Sequence, residues 1–133
     1  MTGRDRAGRT PLHYAALEGD AARVLDLIEA GYDVNEPDAN GFTPLHFAAQ
    51  SHVLDVTRVL LERGANIDAV NKFGNSPLLV AMSQSRGRFE EIMLLRDLGA
   101  DRNLKNNSGI SAVDLARRVA NFDFTGIFPE ARE

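Results

Sequence analysis

Apolar residues fall at helical spacing in two corresponding stretches of the chain, Val24, Leu25, Leu27 and Ile28 in the first and Val56, Val59, Leu60 and Leu61 in the second. Such a stripe predicts a helix with one buried face. Gly31 and Gly64 stand just past the stripes, and Gly99 holds the corresponding place further on. A residue with positive φ closes a helix there at least cost. Upstream of each stripe a second pattern repeats: Thr10-Pro11-Leu12-His13 recurs 33 residues later as Thr43-Pro44-Leu45-His46, and 33 further on as Ser76-Pro77-Leu78-Leu79. A hydroxyl that caps free amides, followed by a proline suited to the first turn, predicts helix starts at 10, 43 and 76. Ser111-Ala112 keeps the cap and loses the proline. Each start is preceded by a glycine two positions upstream (Gly8, Gly41, Gly74) and followed by a small-residue pair or its relic (Ala15-Ala16, Ala48-Ala49, Ala81-Met82). A fixed period of this length marks a repeat protein.

This constellation resembles the ankyrin repeat. The resemblance implies an all-α repeat solenoid of helix-turn-helix units joined by β-hairpin-like loops or extended turns. Repeats are expected over about 5-37, 38-70 and 71-105, with a partial capping repeat over 106-128, in one domain spanning 1-133. Neither helix of a unit buries its apolar face alone, so units stack against their neighbours, and one continuous apolar core is expected with Leu12, Leu45 and Leu78 at its centre. Two departures stand out. His52 takes the place held by Gly19 in the first unit, a modest strain for a histidine. Ser76 to Gly99 is two residues longer than Thr10 to Gly31, and the extra residues fall within Ser83-Gln84-Ser85-Arg86-Gly87-Arg88, read as a longer loop that is either a plain insertion or a contact through Arg86 and Arg88. Near the end, Phe122, Phe124 and Phe128 read as a cap over the last repeat or as a docking segment. The first repeat is expected to cap itself with Asp20, Arg23, Asp26 and Glu29.

Composition narrows the class. The 133 residues are 44% apolar, enough for one buried core. A net charge of −4 argues against a nucleic-acid surface, which needs a basic excess. There is no cysteine, no run long enough to span a membrane, and no apolar leader after Met1, so a cytoplasmic protein without membrane contact is expected. The acidic residues concentrate in one segment: Glu18, Asp20, Asp26, Glu29, Asp33, Glu36, Asp38 and Asp55 stand there against Arg23 alone. They are read as solvated surface or as a steering surface for a basic partner.

The chemistry of the chain points away from catalysis. His13 and His46 occupy equivalent places in successive repeats, and helices packed about 8 to 10 Å apart hold them too far apart to share a metal ion; the resemblance assigns both a structural role. His52 is read as a loop residue. No nucleophile elbow, phosphate loop or zinc-protease motif is present. Glu90 and Glu91 are adjacent, face different directions on a helix, and are read as solvated. The chain is therefore expected to be no enzyme and to need no metal or cofactor. The resemblance implies instead a protein partner, bound on the concave side by hairpin tips and inner helices. Its contact positions map to Arg6, Arg9, Glu18, Asn40, Phe42, Gln50, Lys72, Phe73, Asn75, Gln84 and Ile110. Phe42, Phe73 and Ile110 are either bare contact residues or packed on the adjacent hairpin. Taken as a whole chain with nothing but repeats, the protein is expected to be an adaptor or inhibitor that occludes its partner. An immunity protein neutralising a paired toxin and a self-associating structural repeat are the alternatives, with a monomer favoured and a homodimer the other outcome.

Overall fold

The computed structural model describes residues 4-86, 88-118, 124 and 126-131. Helices come in pairs: α1 (Pro11–Glu18) with α2 (Ala21–Glu29), α3 (Pro44–Ser51) with α4 (Leu54–Glu62), and α5 (Pro77–Ser83) with α6 (Glu90–Asp97). Next come α7 (Ala112–Arg118) and a short 3-10 turn (Pro129–Ala131). No strand occurs among the described residues. The inner helices α1, α3, α5 and α7 pack in a row, and the outer helices α2, α4 and α6 form a second row behind them. Each helix touches its pair partner and its neighbours in the row, which is the architecture of a solenoid.

The helix starts follow the local chemistry. Thr10, Thr43 and Ser76 are the extended N-cap residues, with proline at the first helical position. Ser111 caps α7 by accepting from the Asp114 amide at 3.2 Å, while Asp114 accepts from the Ser111 amide at 3.0 Å. Gly31, Gly64 and Gly99 follow the outer helices at φ 105°, 96° and 100°. His52 ends α3 at φ 57°, as Gly19 ends α1 at φ 78°. The two extra residues of the third unit lengthen the connection between α5 and α6, where Arg88 folds back on the Ser85 carbonyl at 3.2 Å.

Between helix pairs the chain makes the same tip four times. The amides of Asp5, Asp38, Asn71 and Asn106 donate to the carbonyls of Arg9, Phe42, Asn75 and Ile110 at 2.8 to 3.1 Å. Adjacent tips are each joined by one backbone-to-backbone bond, Ala39 to Ala7, Lys72 to Asn40 and Asn107 to Phe73, at 2.8, 2.9 and 3.0 Å, with side-chain bonds beside some of them. These are extended turns tied edge to edge, without a strand ladder. Gly41 shows why the tip requires glycine: its φ is 80°, and a Cβ there would stand 2.9 Å from the Asn71 Cα of the next tip. Gly64 has an equally positive φ and open space around it. Gly41→Ala is therefore expected to cost about 1 to 3 kcal/mol in urea unfolding, and more than Gly64→Ala, which meets backbone strain alone; equal losses would show the tips to be free to separate.

Leu12, Leu45 and Leu78 are buried, at 0%, 0% and 1% exposure. The core differs from one continuous strip. Its buried apolar residues form two clusters, one around Leu12, Val24, Leu45, Phe47 and Leu60, the other around Leu78, Ile92, Leu95 and Phe128, with Leu61 bordering both. At the division, Thr57 of α4 donates to the carboxyl of Glu91 on α6, and both residues are fully buried. Glu91 is thus no solvated surface residue. Phe124 and Phe128 fold inward and cover the last helix pair; Phe122 lies outside the described residues. At the other end Tyr14 of α1 donates its hydroxyl to Asp5 and lies beneath the Arg9 guanidinium. Asp20 caps α2, accepting from the Arg23 amide at 3.1 Å.

Candidate protein-interaction face

The row of tips and the inner helices form one continuous face, and the residue at the start of each tip organises it. Asp5 Oδ1 accepts from the Ala7 and Arg9 amides, Asp38 Oδ1 from Asn40 and Phe42, Asn71 Oδ1 from Phe73 and Asn75, and Asn106 Oδ1 from Ser108 and Ile110, at 2.8 to 3.0 Å. The second polar atom of each side chain is free for another partner. Asp38 Oδ2 accepts from Arg9 Nε at 3.2 Å, and Asn106 Nδ2 donates to Asn75 Oδ1 at 2.9 Å.

The histidines fasten each helix pair to the next tip. His13 Nδ1 accepts from the Thr10 amide at 3.0 Å, so its proton lies on Nε2, which donates to the Phe42 carbonyl at 3.1 Å. His46 repeats this with the Thr43 amide at 3.0 Å and the Asn75 carbonyl at 2.8 Å. Burial pushes both imidazoles below the ordinary range, against the pull of those carbonyls. His52, in turn, donates from Nε2 to the Ala81 carbonyl at 3.1 Å. All three thus have structural partners in the stack.

The predicted contact residues separate into groups. Phe42, Gln50, Phe73, Asn75 and Gln84 converge with Asn71, Val80 and Ser83 around a cavity of about 230 Å³ between the second and third helix pairs. Arg9 and Glu18 line a different cleft, with Asp5, Tyr14 and Arg23. Arg6, Asn40 and Lys72 are exposed on the tips, and Ile110 is half-buried. Arg9 is committed to Asp38 and stacks 4.8 Å from the Phe47 ring centre. Phe42 is not bare: it stacks on Phe47 at 5.5 Å and meets His46 edge-on at 5.5 Å. Phe73 is half-exposed at the rim, with the Lys72 ammonium 5.2 Å from its ring centre. Asn71 and Val80 of the cavity wall were missed; Asn71 had a signal, since it occupies the tip position of Asp5 and Asp38.

Charge on the acidic segment is partly compensated. Glu36 pairs with Arg4, Asp38 with Arg9, Glu29 with Arg63 at 3.7 Å and Asp55 with Arg58 at 3.8 Å. Glu18, Asp20, Asp26 and Asp33 make no ion pair among the described residues. A larger cavity of about 450 Å³ opens on the outer side, between Leu61, Ala65 and Ile67 and the residues Leu94 of α6 and Leu98 just after it.

Paired helices stacked in two rows, with glycine-bearing tips tied along one edge, define a helical repeat protein. The family model of ankyrin repeats (3 copies) matches residues 12–106, and the chain belongs to that family. Comparison with curated proteins finds no significant match. Ankyrin repeats are protein–protein interaction modules that bind other proteins. No helix among the described residues is long and apolar enough to cross a membrane.

Proposed function

We propose that the chain binds a partner protein through the face of inner helices and tips, and acts as an adaptor or inhibitor by occluding the partner's functional surface. The observation that carries this reading is Phe73, an aromatic ring left half-exposed at the rim of a groove whose far wall holds the exposed Gln84. Aromatic anchors beside adaptable amides are the usual makings of a binding hot spot. The same reading makes Arg6, Asn40, Lys72 and Gln50 flanking contacts, and it places the protein in the cytoplasm, needing no cofactor and performing no chemistry of its own. A narrower form, neutralisation of a basic partner such as a toxin, draws on the unpaired Glu18, Asp20, Asp26 and Asp33.

The test is affinity purification from the native host with mass spectrometry, run beside the double variant Phe73→Ala with Gln84→Ala. Neither side chain makes a hydrogen bond among the described residues, so folding should be unaffected. One stoichiometric partner held at least tenfold more weakly by the variant is the expected outcome. A partner retained unchanged would move the interface elsewhere, and a mass that rises with concentration in the absence of any partner would favour self-association.

A further inference from the structure

In each tip the first residue uses one side-chain oxygen to hold its own turn, and in the second and fourth tips the atom beside it bonds the last residue of the preceding tip. Asp38 finds Arg9, and Asn106 finds Asn75. The position that Arg9 and Asn75 occupy in their tips is held in the second tip by Phe42, whose side chain carries no acceptor atom. Asn71, the residue that would look to Phe42, is 5% exposed, and its Nδ2 is buried without a hydrogen-bond partner among the described residues. The orientation of this amide is settled by its other end, since Oδ1 takes the Phe73 and Asn75 amides at 2.9 and 3.0 Å and an amino group there would face two donors. An uncompensated buried donor is costly to keep. Asn71 is one of the residues that line the cavity shared by Phe42, Phe73, Val80 and Gln84, with this nitrogen closed over beneath its surface.

We propose that Asn71 Nδ2 is the polar anchor of a peptide subsite that takes a neutral carbonyl of an extended partner segment, with the neighbouring apolar or aromatic side chain of that segment against Phe42, Phe73 and Val80. The inference rests on the partner-binding reading above and names the chemistry it recognises. Three features fix the occupant. The cavity of about 230 Å³ is below the usual 300 to 1,000 Å³ of a small-molecule pocket and suits one side chain. Its walls are apolar and amide with the Ser83 hydroxyl, none of the lining side chains is ionised, and Lys72 sits over the Phe73 ring outside the lining, so a carboxylate would give up solvation there while a neutral carbonyl is satisfied by one donor. Phe42 is rigid, stacked on Phe47, and presents a preformed wall.

Asn71→Asp removes the donor and keeps the turn, because Asp5 and Asp38 hold their own tips in the same way. A phage-displayed library of linear peptides is panned on the full chain, and the enriched peptides are titrated by fluorescence anisotropy against the wild type, Asn71→Asp and Phe73→Ala. The expected result is a consensus with one apolar or aromatic residue, a saturable shift of the Asn71 side-chain amide pair in a ¹⁵N spectrum, and an affinity lowered about tenfold in Asn71→Asp, measured well below the melting temperature of that variant, which falls because its second oxygen lacks the arginine that Asp38 has. Peptides that lose affinity in Phe73→Ala and keep it in Asn71→Asp would overturn the anchor and leave the partner-binding face standing. Peptides indifferent to both substitutions would overturn the anchor and the face together. No enrichment, or a consensus that demands an acidic residue, would overturn the neutral-carbonyl subsite.

Discussion

Leu45→Ala is expected to remove roughly 2 to 5 kcal/mol of folding stability, seen as a lower urea midpoint at an unchanged slope. The side chain is fully buried on α3, the inner helix that packs on both α1 and α5. Truncation therefore opens a cavity between neighbours that are themselves held by the tips and by His13 and His46, which leaves the site little room to collapse. A repeat protein transmits such a loss along the array, because each unit is stable only through its interfaces, and domains of this kind have only about 5 to 15 kcal/mol in hand. Leu45→Met, which conserves volume, should cost under about 1.5 kcal/mol. A truncation that costs less than about 1 kcal/mol would mean that the second pair does not hold the centre of the stack.

The register of this stack was legible because its signals are local. A threonine before a proline, a glycine at positive φ and an apolar stripe each act within one turn of chain, and they placed α1 to α6 and the cap on α7. What escaped was the chemistry between units. Arg9 meets Asp38 and Arg63 meets Glu29 across the repeat interfaces, and Arg4 meets Glu36 between the two ends of the first unit, so a segment that reads as acidic along the chain is partly neutralised in space. Phe42 read equally as a bare contact residue or as packed on the adjacent hairpin, and it stacks instead on Phe47 of the helix that follows it. The groove itself was half read: Phe42, Gln50, Phe73, Asn75 and Gln84 were named from the resemblance, while the orphan amide of Asn71 emerges only when the four tips are compared column by column.

Glu91 was hidden by the insertion. Counted forward from the cap at Ser76, the two extra residues displace it, and it reads as one of a pair of surface carboxylates. Counted back from the closing glycine, Glu91 stands eight residues before Gly99 as Val56 stands eight before Gly64, at a site where Val56 is fully buried. The chain therefore places an ionisable group where the second unit has a buried valine and the first has the exposed Arg23, and here it lies buried opposite Thr57 where the core divides in two.

That substitution has a pH signature. Burial pushes the Glu91 carboxyl up to about 7, against the opposing pull of the Thr57 hydroxyl and, more weakly, Arg58. Its folded value lies above the ordinary value of 4.5, so the folded state holds a proton that the unfolded chain has released. Its stabilising contribution is fully present below 4.5 and is lost as pH rises through about 7. The interval corresponds to roughly 3 kcal/mol. His13, His46 and His52 act with the opposite sign: burial lowers each below 6.5, so the stability they allow is present above 6.5 and is lost as pH falls beneath it. In the wild type the two effects oppose each other between 4.5 and 6.5, and the stability profile there should be shallow. Glu91→Gln keeps the size and an acceptor for Thr57 and removes the ionisation. It should be more stable than the wild type by up to about 3 kcal/mol at pH 8, nearly equal to it at pH 4.5, and steeper in its loss of stability below pH 6.5, where the histidines then act alone. Urea unfolding of both proteins at half-unit steps of pH reads this directly. A difference between them that is constant from pH 4.5 to 8 would show that Glu91 does not change charge across the range, and the gap in the core would then owe nothing to a proton.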